Sequence, residues 1–293
     1  MSYQGFLLRW GAKRNDRRRD SAIALPDNIA QCRNIVYGPN KKWNRLDVYY
    51  PVGTTAPLPT IVSIHGGGYV YGTKEEYRRY CMDLARRGFC VVNFTYRLAP
   101  QWRFPAPLED TNAVLKWVCA NQATYFMNPE RLFLVGDSAG AQITSQYAAI
   151  ATNADYAAHF SFSVPRVSIR AVGLNCGMYD AATLAAGKRR SVAKDYLGTR
   201  IPDDDPRLQV LQNITEHFPP AHITTACHDF LQDHAEPMAD YLRSKGISTQ
   251  LQCYGSEDDH SVGHVFHLNL NLPEATSCND DQCAFFRSVL ATD

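Results

Sequence analysis

The chain has 293 residues, 45% of them hydrophobic and 20% charged, which is enough material for a sizeable folded core and excludes an intrinsically disordered protein. Thirty basic against twenty-nine acidic side chains leave a formal net charge of +1, so no global field selects nucleic acid or an anionic membrane as a partner. No stretch reaches the ~18 uninterrupted apolar residues of a membrane span, and the nine cysteines form no close-spaced pairs, which reads as free thiols in a reducing, cytoplasmic setting.

At the N-terminus the short apolar patch Phe6-Leu7-Leu8 comes before the basic cluster, the reverse of a secretory signal. That cluster, Lys13 to Asp20, is interrupted by Asp16 and Asp20 and reads as a solvated, partly helical arm rather than a nucleic-acid patch. Two strand-like runs between Ile35 and Tyr50 suggest an antiparallel start to a sheet. Pro59 to Ile64 is a buried strand that runs directly into His65-Gly66-Gly67-Gly68, where successive glycines leave backbone amides uncovered, either as donors to a developing oxyanion or as a plain flexible turn. Lys74 to Arg87 has helical spacing and ends at Gly88, and Phe89 to Phe94 is a further strand.

The next strand, Leu132 to Val135, enters Gly136-Asp137-Ser138-Ala139-Gly140, and Ala141 to Ala151 reads as a helix. Strand, sharp turn and helix are the context a G-x-S-x-G nucleophile elbow requires, with the glycines letting strand and helix approach around a strained serine. Strand-like Ser168–Asn175 follows, then a long segment from Gly177 to Pro220 without strand signal, then a strand at Ala221–Cys227. A helix from Asp233 to Lys245, a last strand at Thr249–Tyr254, a histidine-bearing loop and a helix from about Asn279 to Leu290 complete the chain. Alternating strands and helices predict an α/β fold, a single domain over 1–293 with a mostly parallel central sheet covered by helices on both faces.

Three motifs stand in order: His65-Gly-Gly-Gly68, then Tyr96-Arg-Leu-Ala-Pro100 with Phe104-Pro-Ala-Pro-Leu-Glu-Asp110, then Gly136-Asp-Ser-Ala-Gly140. Together they resemble the hormone-sensitive-lipase-like branch of the α/β-hydrolase superfamily, mostly bacterial carboxylesterases, over roughly residues 45 to 290. Ala141 departs from the further glycine of many members. The resemblance implies an α/β-hydrolase fold, a small helical cap with contributions from 1–40 and 178–217, and acyl transfer with no cofactor. It also implies that His65 is structural.

A serine hydroxyl is a weak nucleophile at neutral pH, so Ser138 needs a histidine base and a carboxylate to orient it. Asp229 stands just past its strand, where it can reach the top of the sheet, whereas Asp233 suits the cap of the next helix. Asp229-Phe-Leu-Gln-Asp233 also matches the family's Asp-x-Leu-x-Asp pattern, with Phe230 in place of proline. For the base, His260 sits in the acidic stretch Glu257-Asp-Asp-His-Ser, where carboxylates would hold it protonated. His264 is preferred because His264-Val265-Phe266 resembles the family's His-Gly-Phe, and His260 remains the alternative. A zinc site from His260, His264 and His267 is disfavoured, since the spacing is not helical and no carboxylate motif accompanies it. No metal is expected.

The oxyanion donors expected are the amides of Gly67, Gly68 and Ala139. Tyr69, Tyr71 and Trp102, with Phe104 nearby, are candidate substrate contacts for a small apolar or sugar-like group, although the same residues could be core. The expected activity is hydrolysis of short-chain acyl, or small acetylated or aromatic, esters through a Ser-His-Asp triad and an acyl-enzyme. The alternatives are an amide hydrolase of formamidase or peptidase type and a non-catalytic ligand-binding protein of the same fold. The expected partner is a small-molecule ester, with no nucleic acid and no membrane; the oligomeric state is open, a homodimer among the options.

Overall fold

The computed structural model describes every residue except 22, 186–189, 200, 203 and 293. The expected cap segment 178–217 therefore includes positions that lie outside the described residues. In chain order the elements are α1 (Tyr3–Ser21), β1 (Ile29–Val36), β2 (Arg45–Pro51), β3 (Leu58–Ile64), α2 (Arg78–Arg86), β4 (Cys90–Thr95), α3 (Ala106–Asn121), β5 (Met127–Asp137) and α4 (Ala139–Thr152). A one-turn α5 (Ala154–Ala157) leads to β6 (Ile169–Asn175), α6 (Arg190–Leu197), β7 (Ala221–Ala226), α7 (Ala235–Ser244), β8 (Thr249–Tyr254) and α8 (Pro273–Ala291).

The eight strands form one sheet in the order β1-β2-β4-β3-β5-β6-β7-β8. The β1/β2 and β2/β4 pairs are antiparallel and the remaining five are parallel, so the sheet starts antiparallel and continues as a parallel α/β sheet. Side chains alternate across β5 with the period of two that a strand dictates. Leu132 and Leu134 join the larger core with Leu115, Ile143 and Tyr147 from α3 and α4, while Phe133 and Val135 face Cys81 and Leu84 of α2 and Phe286 of α8. Both faces are thus buried, which explains why the central strands read as continuous apolar runs rather than alternating ones. The sheet's parallel strands end on one edge, and their C-terminal turns carry Gly66–Gly68, Ser138, Cys176 and Asp229 to the same side.

Several local expectations change. The N-terminal arm is helical throughout α1, which packs against α6. Within 1–40, β1 belongs to the sheet edge, so only the part up to Ser21 lies in a helix near the site. Asp233 does not cap α7, whose N-cap is His234 with no side-chain bond; Asp233 is exposed in a short 3-10 turn. Helix α8 starts six residues earlier than expected, at Pro273, a residue suited to the first helical position because it lacks the amide that would go unpaired. No helix among the described residues is long and apolar enough to cross a membrane.

Candidate active site

Ser138 sits between β5 and α4 at φ 53° and ψ −118°, a conformation that non-glycine residues rarely adopt. The surroundings hold it there. Its amide donates to Asn175 O at 3.0 Å, and a side chain on either flanking glycine would collide with backbone: at Gly136 with Gly140 O, and at Gly140 with the carbonyls of Ile64 and His65. The elbow can therefore close only with glycine at both positions. Ala139 opens α4, and its amide precedes the hydrogen-bond ladder of the helix, leaving it available at the positive end of the helix dipole.

The glycine tetrad forms the facing wall. Gly67 and Gly68 have φ of 104° and 58°, and a Cβ on Gly67 would run into Tyr71 O. Neither amide has an acceptor among the described residues. His65 is fully buried beneath them, its Nδ1 2.8 Å from Gly66 O and its ring stacked on Tyr96 at 3.9 Å. Burial lowers its pKa to about 4, so it is neutral and structural. The tetrad is tied to the elbow by a chain that crosses the cleft: Gly66 N donates to Tyr77 Oη at 2.8 Å, and that hydroxyl donates to Asp137 Oδ2 at 2.8 Å. Burial raises Asp137 to about 7 against the opposing bond from Tyr77.

The histidine and carboxylate come from two later loops. Asp229 Oδ1 lies 2.7 Å from His264 Nδ1 and also accepts from Leu231 N at 3.0 Å, while its Oδ2 accepts from Thr225 Oγ1 at 3.2 Å. Burial by itself would raise Asp229, but the His264 bond and charge outweigh it and hold the carboxyl below its ordinary value. His264 lines the same cavity as Ser138, and its ring lies 4.0 Å from that of Phe230. His260 is exposed and stands against His228, at 4.0 Å between rings, with no contact to Asp229. Val265 adopts φ 56° and ψ 32°, the left-handed conformation in which a β-branched side chain is a true outlier. The chain turns there as a His-Gly-Phe segment would.

Two cavities meet at Ser138. The first, about 330 Å³, is bounded by Ser138, His264, the glycines 66–68, Tyr71 and the inner face of α1. The second, about 490 Å³, is lined by Ala139, Tyr69, Met178, Leu184, Val192 and Leu231, and shares Gly68, Ser138 and Phe230 with the first. Tyr71 lines the first cavity and Tyr69 the second: Tyr69 stacks on Tyr196 at 3.7 Å and donates to Gln142 Oε1, and Tyr71 donates to Asp16 Oδ2 at 2.8 Å. Trp102 lies in the turn before α3, edge-on to Trp43 at 5.6 Å, and lines neither cavity. Phe104 is core, buried against Phe160 and Tyr196.

Among the described residues, the only cluster of possible metal ligands is Cys176, Asp229 and His264, with donor atoms within 4.8 Å of one another. The 2.7 Å between Nδ1 and Oδ1 suits a hydrogen bond, whereas two ligands of one tetrahedral zinc stand about 3.3 Å apart, as bonds of about 2.0 Å require. The three histidines considered for zinc are dispersed between surface and core, His260 exposed and His267 fully buried. Sequence reasoning missed Tyr77 and Asp16, whose partners lie 60 and 55 residues away, and it assigned no role to Phe230 at the junction of the cavities.

A family model described as alpha/beta hydrolase fold matches residues 61–268. A probable isoprenylcysteine alpha-carbonyl methylesterase of Oryza sativa subsp. japonica is 39% identical over 114 residues, which are 39% of this chain and 27% of that protein. A versiconal hemiacetal acetate esterase of Dothistroma septosporum is 26% identical over 248 residues, covering 78% of this chain and 72% of its own. Among solved structures, an inhibited esterase B from Lactobacillus rhamnosis superposes with a TM-score of 0.89 at 21% identity, over 99% of this chain and 96% of that one, which is a likeness of fold. The chain belongs to the alpha/beta hydrolase fold family, on the hormone-sensitive-lipase-like branch that its glycine tetrad and serine elbow resemble.

Proposed function

We propose that the protein is a serine carboxylesterase in which Ser138 is the nucleophile, His264 the general base and Asp229 the residue that orients it. The observation that carries this reading is the convergence of a strained serine and an Asp-paired histidine on one cavity. Asp229 at Nδ1 fixes the tautomer that leaves Nε2 free to take a proton. Ser138 Oγ attacks the ester carbonyl as His264 removes its proton, and the amides of Gly67, Gly68 and Ala139 stabilise the oxyanion. The alcohol departs with the proton from His264, and water repeats the sequence on the acyl-enzyme. The esterase names of the relatives support the same reaction class.

The leaving alcohol must stand beside the acid that protonates it, so it occupies the cavity that holds His264. The acyl group occupies the other, mostly apolar cavity, where Ala139 is present and His264 is not. Helices α1 and α6 close over the two cavities as a small cap. Their contact is pinned by Ser2, whose amide and hydroxyl both bond Asp195 at 2.7–3.0 Å. A series of p-nitrophenyl esters of rising acyl length, beside acetylated sugars and matched amides, tests the assignment. The expected result is highest kcat/KM on short acyl esters, with Ser138→Ala inactive and an organophosphonate labelling Ser138 alone. More than a few per cent of activity in that variant would refute the triad.

A further inference from the structure

Nine large hydrophobic side chains are exposed among the described residues, and five of them, Met1, Tyr3, Phe6, Leu7 and Trp10, fall within the first ten positions. That concentration needs a cause, because scattered exposed apolar residues are ordinary and a contiguous patch is not. Positions 3, 6, 7 and 10 share one face of α1 at helical spacing, opposite Gly5, Leu8 and Ala12, which turn inward. The same outer face continues into Lys13, Arg14, Arg17 and Arg18, all exposed and none in an ion pair among the described residues. Arg9 and Arg19, by contrast, are spent on anchoring the helix, to Val70 O and to Asp16, Asp20 and Glu76 O.

The outer face of α1 thus has an apolar half carrying Trp, Phe, Tyr and Leu and a cationic half carrying four charges outside any ion pair among the described residues, with Arg14 over the Trp10 ring at 5.8 Å. We propose that this face docks on an anionic phospholipid surface, the rings and Leu7 entering the headgroup boundary while the cations meet lipid phosphates. Charge complementarity selects this occupant over a second copy of the chain, which brings the same cationic face and no anions to meet it. Leu7 and Phe230 are both exposed and both line the cavity that holds His264, so docking brings its mouth to the lipid surface. Resting on the esterase reading, this gives esters dissolved in the bilayer a path to Ser138. The expectation of no membrane partner came from a whole-chain charge of +1, which averages away a basic helix.

The test is sedimentation of the full chain with vesicles, a readout that does not require ester hydrolysis. Vesicles of phosphatidylcholine with about one-third phosphatidylglycerol should pellet the wild-type protein, with pure phosphatidylcholine or about 0.5 M salt weakening the association several-fold. Phe6→Ser with Trp10→Ser, and separately Arg14→Glu with Arg17→Glu, should each weaken binding at least about tenfold while hydrolysis of p-nitrophenyl acetate stays unchanged. Wild-type protein that remains in the supernatant, or variants that bind as well as wild type, would overturn the proposal. A dimer that the Phe6/Trp10 variant dissociates, without vesicle binding, would reassign the face to a contact between copies.

Discussion

Replacing Gly140 by alanine probes the elbow without touching a reacting group. The added methyl would lie 2.7 Å from His65 O and closer still to Ile64 O, whereas real Cβ atoms keep at least 3.0 Å from their neighbours. Both obstacles are backbone atoms at the end of the central strand β3, so relief has to come from α4 moving away by a distance on the order of 1 Å, an overpacking cost of about 1–3 kcal/mol. Ser138 and Ala139 stand at the start of α4 and move with it, carrying the proposed nucleophile and one proposed oxyanion donor away from Gly67 and Gly68. A misplacement of this size is expected to lower kcat by about 100-fold, with KM changing much less. Steady-state hydrolysis of p-nitrophenyl butyrate and urea unfolding measure the two effects. A Gly140→Ala enzyme with kcat within threefold of wild type would refute the steric account of the elbow.

His264→Ala should abolish hydrolysis and His260→Ala should leave it nearly intact, measured on the same ester; the opposite pattern would transfer the base to His260. At Val265, glycine relieves about 1–2 kcal/mol of left-handed strain and forfeits about 1 kcal/mol of half-buried packing, whereas alanine forfeits packing and keeps strain. The glycine variant should therefore unfold at higher urea than the alanine variant, the reverse of the usual order. Asp137 holds its proton up to about pH 7 when folded and only to about 3.8 when unfolded, so stability is lost as pH rises through that window. Asp137→Asn should flatten this part of the Tm profile relative to wild type, and an unchanged difference between pH 5 and 7 would count against it. His65, His222 and His267 are lowered by burial to about 4, 4 and 3, so they contribute stability above 6.5 that is lost as the solution is acidified toward pH 4. Acid unfolding followed by circular dichroism should shift to lower pH in His222→Gln.

The strands were legible because their chemistry is local. An apolar run such as Leu132–Val135 carries its own signal, and the glycines at 136 and 140 declare a turn that no other residue would fit. What joins the elbow to the glycine tetrad was not legible, since Tyr77 reads as one more apolar residue in the helical spacing of 74–87 until its hydroxyl is seen between Gly66 and Asp137. Trp102 shows the converse: it is near a motif along the chain but not near the cavities in space, because the turn before α3 points it toward Trp43. The packing of α1 depends on Asp195 and Val70, 193 and 61 residues from the groups they hold, and no periodicity in the arm encodes such distances.

Helix α1 buries only Gly5 fully and is held by a few polar anchors, while β5 beneath it is enclosed on both faces. Such a difference in burial separates the two in opening free energy, so the amides of α1 exchange their hydrogens through local opening and those of β5 only when the whole domain unfolds. Each opening of α1 parts Leu8 from Gly68 and uncovers the cavity beside His264. On the proposed esterase reading, the frequency with which that helix lifts would set a ceiling on how fast a bulky alcohol group exchanges with solvent, and substrates too large for the closed cavity would turn over at the pace of the helix rather than of the chemistry.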